Sequence, residues 1–152
     1  MVSDRNRDRY RQVILQRSKN PCHQGRLEPH DGRGYAINPL CGDIVEVTLQ
    51  LTKGRQGIEK ICHRSDGCAV CIAATDLMID VVTGQQLSVV EDAARTFKAM
   101  LKGCDPLPSQ HPLVALSPLA QLPGRSRCAS LGWEALKQAV QGQDSQSSDR
   151  NG

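Results

Sequence analysis

Between Val45 and Leu51 the chain alternates: Val45, Val47, Leu49 and Leu51 are apolar, and Glu46, Thr48 and Gln50 are polar. Successive side chains of a strand point to opposite faces, so this is the pattern of a half-buried antiparallel strand. Lys53-Gly54-Arg55-Gln56-Gly57 follows as a turn, and residues 58–63 read as the return strand of a hairpin, with a bulge where the alternation weakens. A helical period takes over on both sides. Upstream, residues 4–19 place Tyr10, Val13 and Ile14 on one face, with Arg5, Arg7, Arg9, Arg11 and Arg17 mostly on a solvated side, and Asn20-Pro21 ends the helix. Downstream, Cys71, Ala74, Leu77, Met78, Val81 and Val82 mark a helix that starts near Cys68 and stops at Gly84. Ser88 and Glu91 predict a capping box for the next helix, whose Val90, Ala93, Ala94, Phe97, Met100 and Leu101 share a face up to Gly103. A last helix is predicted over about residues 130–141, burying Leu131, Ala135, Leu136, Ala139 and Val140.

Three stretches lack such periods. Residues 21–38, rich in Gly, Pro, His and Asp, read as loop. Residues 104–124 are irregular apart from a helical turn around Leu113 to Leu119, and residues 143–152 are polar and expected to be disordered. Singly striped helices beside a hairpin predict an α+β fold, a small mainly antiparallel sheet with helices packed on one face. Residues 1–142 form that one domain, and no internal repeat is present.

Composition narrows the function. Tyr10, Tyr35, Phe97 and Trp133 are the only aromatics, which disfavours stacking platforms for single-stranded nucleic acid. A net charge of +3 does not mark a nucleic-acid binder. No apolar run reaches transmembrane length, and the charged stretch from Val2 to Gln12 is unlike a signal peptide, so no membrane is expected and the location is expected to be cytoplasmic. In a reducing compartment the seven cysteines fit metal or sulfur chemistry better than a disulfide framework.

Three cysteine neighbourhoods carry that chemistry. In Asn38-Pro39-Leu40-Cys41-Gly42-Asp43 a thiol and a carboxylate flank a glycine, which lets chain or ion approach closely. Both groups are ligands for zinc and, less tidily, for iron. Cys68 follows Gly67 at a helix start, where orphan N–H groups favour a thiolate. Cys128 sits just before the last predicted helix, in Arg125-Ser126-Arg127-Cys128-Ala129. Cys71 makes a Cys68-x-x-Cys71 pair and is read first as a core thiol, with a spare ligand or redox partner as alternatives. Cys22, Cys62 and Cys104 are read as incidental, and His63 as a surface histidine.

The ordered set Asn-Pro-x-Cys-Gly-Asp, Gly-Cys-x-x-x-x-Ala and Arg-x-(Lys/Arg)-Cys-Ala before Leu-x-Trp resembles the U-type iron–sulfur assembly proteins, within them the SufU branch of the NifU N-terminal/IscU-like superfamily. The long segment from Leu101 to Cys128 and the arginine at 127 fit SufU, since IscU has a shorter connection and a histidine there. The serine usual in SufU is here Cys71. The resemblance implies one metal site formed by Cys41, Asp43, Cys68 and Cys128, with Zn²⁺ bound and Arg125 and Arg127 offsetting its charge. It implies a sulfur carrier: a SufS-like, pyridoxal-phosphate-dependent cysteine desulfurase docks, a zinc ligand is exchanged, and Cys41 takes up the terminal sulfur for downstream iron–sulfur assembly machinery. A scaffold that assembles and transfers a [2Fe–2S] cluster, or binds iron, is the alternative within the family. Outside it stand a structural or nucleic-acid-binding zinc module using Cys41, Cys62, Cys68 and Cys71, and a thioredoxin-like protein built on Cys68 and Cys71.

Overall fold

The structure is a computed structural model that describes residues 4–104, 107–108 and 110–142. Three strands, β1 (Gly32–Asn38), β2 (Asp43–Leu51) and β3 (Ile58–Asp66), form an antiparallel sheet in that order. β2 buries Val45, Val47, Leu49 and Leu51, the residues its alternation marks, and the expected bulge is a register shift at Gln50/Leu51. Four α-helices flank the sheet: α1 (Asp4–Lys19), α2 (Ala69–Val82), α3 (Leu87–Leu101) and α4 (Pro123–Gln141), with a 3-10 helix over Pro112–Gln121. The helices lie chiefly on the face carrying Val45, Val47 and Leu49, so the architecture is α+β as expected. The polar tail, 143–152, lies outside the described residues.

Several elements depart from the sequence pattern. β1 falls where a loop is expected. Its Gly32 and Gly34 let α4 lie directly on the strand: a Cβ at Gly34 would come within 1.7 Å of the Ala135 carbonyl oxygen, and one at Gly32 within 2.1 Å of that of Ala139. Those glycines lower strand propensity yet let the strand and helix backbones come into direct contact. α4 starts well before residue 130, with Pro123 in its first turn, where a missing N–H costs nothing. The capping box does not form: α3 begins after Gln86 with no side-chain cap. α2 is buried nearly all round rather than along one stripe, since sheet, α1 and α4 enclose it.

His63 is the clearest reversal. It is 0 % exposed, because its register opposite Val47 turns it to the helix face. Its ring bridges Ser65 Oγ (2.7 Å) and the buried carboxylate of Asp76 (3.0 Å). Asp76 also accepts from Arg17 Nη1 at 2.8 Å and from the N–H groups of Cys22 (2.8 Å) and His23 (2.9 Å). Burial alone would push the Asp76 carboxyl up, but these four donors outweigh it and hold it far below the ordinary carboxylate range. One carboxylate thus ties α1, the segment after it, β3 and α2 together.

Candidate metal centre

The site is assembled at one end of the sheet. Asn38 closes β1 and Asp43 opens β2, paired across a tight turn that carries Cys41. Ile44 pairs with Asp66, so the β3–α2 junction at Gly67 and Cys68 lies next to Asp43. α4, seated on the β1 glycines, brings in Cys128 from its second turn rather than from its start.

Asn38 organises the turn, a role the sequence reading did not assign to it. Its backbone oxygen accepts from the N–H groups of Cys41 (3.2 Å) and Gly42 (2.7 Å), and its side-chain oxygen accepts from Leu40 N–H (3.1 Å). Its amide nitrogen then faces both sulfurs, 3.6 Å from Cys41 Sγ and 3.9 Å from Cys128 Sγ. The signal for this was present in the Asn-Pro-x-Cys motif. Gly42 has φ +75°, and nothing lies within 4 Å of a Cβ built there. The turn therefore needs glycine for its left-handed backbone, not for close approach. Close approach belongs to Gly67, where a Cβ would stand 2.4 Å from Asp43 Oδ1.

Cys41 Sγ, Cys128 Sγ and an Asp43 oxygen all lie within 4.8 Å of one another, and the two sulfurs are 4.0 Å apart. Two thiolates on one tetrahedral zinc stand about 3.8 Å apart, from Zn–S bonds of ~2.3 Å. Asp43 is 3 % exposed; its Oδ1 accepts from Cys68 N–H at 3.1 Å, while Oδ2 is buried with no partner among the described residues. A buried carboxylate oxygen left bare costs free energy unless a proton or cation meets it. Soft sulfur and one hard oxygen aimed at a common point therefore fit a zinc or iron ion.

Cys68 is beside this set but not within the 4.8 Å group. It is the N-cap of α2, its Sγ accepting from Cys71 N–H at 3.4 Å. Burial first, then Asp43 and Cys68, hold the Cys128 thiol well above its ordinary pKa. A bound cation reverses that field. Cys71 is 0 % exposed, and burial, reinforced by Asp43, Cys68 and Cys41, pushes its thiol up to about 12. Cys71 thus lies buried behind the site.

Arg125 and Arg127 are exposed on the first turns of α4. Tyr10 of α1 shares the neighbourhood of Arg125: burial raises its hydroxyl pKa, Arg125 opposes this and Cys68 adds to it. Cys62 and Cys22 lie away from the cluster, with Cys62 next to Gly25.

Gly67→Ala tests the packing of this corner. The added methyl must displace the Asp43 carboxylate, so bound metal per chain is expected to fall by half or more by elemental analysis. Loss of thermal stability is expected to stay within about 1–3 kcal/mol, the usual range for overpacking.

The sequence matches the NifU-like N-terminal domain family over residues 9–148. The chain belongs to that family. Among its relatives, the iron–sulfur cluster assembly scaffold protein IscU of Streptococcus pyogenes is 31 % identical, over 86 % of this chain and 82 % of the relative. The zinc-dependent sulfurtransferase SufU of Bacillus subtilis is 29 % identical, over 86 % of this chain and 88 % of the relative. A NifU-like N-terminal protein from Brucella abortus has the same fold, with a TM-score of 0.80 at 22 % identity, over 92 % of this chain and 98 % of that one. An iron–sulfur assembly scaffold of the SUF system from Fervidobacterium islandicum matches with a TM-score of 0.77, also at 22 % identity, over 84 % and 93 % of the two chains. Family membership places the chain among the iron–sulfur cluster assembly proteins and removes both readings outside it, the independent zinc module and the thioredoxin-like fold. No helix among the described residues is long and apolar enough to cross a membrane.

Proposed function

We propose that this NifU-like chain is a zinc-dependent sulfur acceptor, taking sulfur on Cys41 from the persulfide of a pyridoxal-phosphate-dependent cysteine desulfurase and passing it to iron–sulfur cluster assembly. The observation that carries this reading is the asymmetry of the donor set. Cys41 is exposed at the tip of its turn, whereas Asp43 and Cys128 are buried beneath it. A purely structural site closes over all its ligands, while a set with one reachable thiol can offer that thiol to a partner.

Cys41, Asp43, Cys68 and Cys128 would hold the zinc, with Asp43 contributing the oxygen that has no other partner among the described residues. When bound, the metal would supply a Lewis-acidic centre that keeps its thiol donors deprotonated. The chain's own residues do the rest. The turn fixed by Asn38 holds Cys41 outward, and Ile37 and Leu40 beside it are exposed, Leu40 by 77 %, giving a docking partner an apolar footing. Cys41 sulfur bonds to the terminal sulfur of the donor persulfide as the donor S–S bond breaks. Cys41 attacks as the thiolate, so the donor cysteine leaves with the electron pair as a thiolate and no proton is needed from Cys41. Arg125 and Arg127, exposed on the first turns of α4, would offset part of the negative charge of the donor set.

The test combines metal content with desulfurase turnover on one sample. Zinc near one per chain and turnover raised at least tenfold by the intact protein are expected, with that rise abolished by Cys41→Ala. Iron with acid-labile sulfide and no stimulation would overturn this reading in favour of a [2Fe–2S] scaffold.

A further inference from the structure

Cys71 is not used by the sulfur-accepting reaction, yet its placement is specific. Cys68 caps α2 and Cys71 occupies the third position of that helix, so the two lie on one helical turn. Cys68 Sγ sits over that turn, accepting from Cys71 N–H at 3.4 Å. One partner is partly exposed and the other fully buried. A reachable first thiol and a shielded second one on the same turn are what stepwise thiol–disulfide exchange needs.

We propose that Cys68 and Cys71 are a redox-active dithiol whose co-substrate is a small-molecule disulfide. Cys68 sulfur attacks one sulfur of the co-substrate, forming a mixed disulfide and releasing one small thiol. Cys71 sulfur then attacks Cys68 sulfur, closing the Cys68–Cys71 bond and releasing the second small thiol. Two protein thiols are oxidised, one disulfide is reduced, and their two protons leave on the two small thiols. The consequence for the metal rests on the proposed function: with Cys68 a donor, closing this bond takes it out of the set and loosens the ion, whereas Cys41 and Cys128 keep their sulfurs.

The test uses the full chain, stripped of metal and reduced, then incubated without oxygen with oxidised glutathione. Trypsin releases residues 65–95, which contain Cys68 and Cys71 and no other cysteine. That peptide is expected to lose two hydrogens and to resist alkylation at both sulfurs, and a thiol reductant should reverse both changes. In Cys71→Ser, and in Cys71→Ala should the serine disturb the core, glutathione is expected to stay on Cys68. Two alkylatable thiols in the wild-type peptide, a persistent glutathione adduct on Cys68, or Cys68 joined to another peptide would each overturn the proposal. In a second, zinc-loaded sample taken through the same incubation, a Cys68–Cys71 bond is expected to form with loss of zinc; the bond formed with zinc fully retained would uphold the dithiol and remove Cys68 from the donor set.

Discussion

Asp76→Ala is expected to lower the folding stability by about 3–5 kcal/mol, the range for removing one partner from a buried ion pair. The reason is what it would leave behind. The Arg17 guanidinium, the His63 ring and the N–H groups of Cys22 and His23 all converge on this one carboxylate. Without it, the fully buried His63 imidazole loses this partner, and Arg17 of α1 keeps only its ion pair with Asp80 on α2. For a domain whose total stability is on the order of 5–15 kcal/mol, that is roughly a fifth or more. Denaturant titration measures it; a loss under about 1 kcal/mol would show that the network contributes little. The pH dependence follows with a definite sign. The folded Asp76 carboxyl titrates below its unfolded value, so its contribution is complete above about pH 4 and is lost as pH falls through the folded value. The wild type should therefore lose stability more steeply than Asp76→Ala on acidification below about pH 4, and the two curves should converge.

Gly34→Ala is expected to cost about 3 kcal/mol or more, above the usual overpacking range, because the new methyl would meet backbone. Its Cβ would fall 1.7 Å from the Ala135 carbonyl oxygen, and no rotamer change can relieve a contact between strand and helix backbones. α4 must then move off β1. Since β1 ends at Asn38 and α4 carries Cys128, the same shift would part Cys128 from Cys41, now 4.0 Å away. The variant should lose melting temperature and bound metal together. Retention of full metal content at wild-type stability would mean that the β1–α4 seat does not position the site.

The legible parts of this fold are those where one period decides. β2 follows its alternation, and α1 spans the residues its apolar face and Asn20-Pro21 mark. What was not legible has common physical causes. Gly32 and Gly34 resemble loop residues because a glycine that makes room for a helix cannot be told, in sequence, from one that makes a turn. Pro123-Gly124 resembles a helix breaker but opens α4, where proline's fixed φ is an advantage. His63 looked exposed because its strand's alternation is weak, and its partner Asp76 lies on a helix that reads as merely amphipathic. The family resemblance implies a site of Cys41, Asp43, Cys68 and Cys128, of which the structure groups Cys41, Asp43 and Cys128; the close approach expected at Gly42 instead falls at Gly67, against the Asp43 carboxylate. The second role of Cys68, as the cap of α2, depends on a hydrogen bond that no spacing rule displays.

The account stands on an outward thiol above a buried Asp43 and Cys128, able to hold zinc and to receive sulfur. The most direct measurement is mass spectrometry of the zinc-loaded chain after incubation with a cysteine desulfurase and cysteine, locating any added sulfur by peptide. One extra sulfur atom on Cys41, absent when Cys41 is alanine, is the predicted result. Added sulfur carried by Cys22, Cys62 or Cys104 with Cys41 unmodified, or none on any cysteine while the desulfurase turns over, would contradict it.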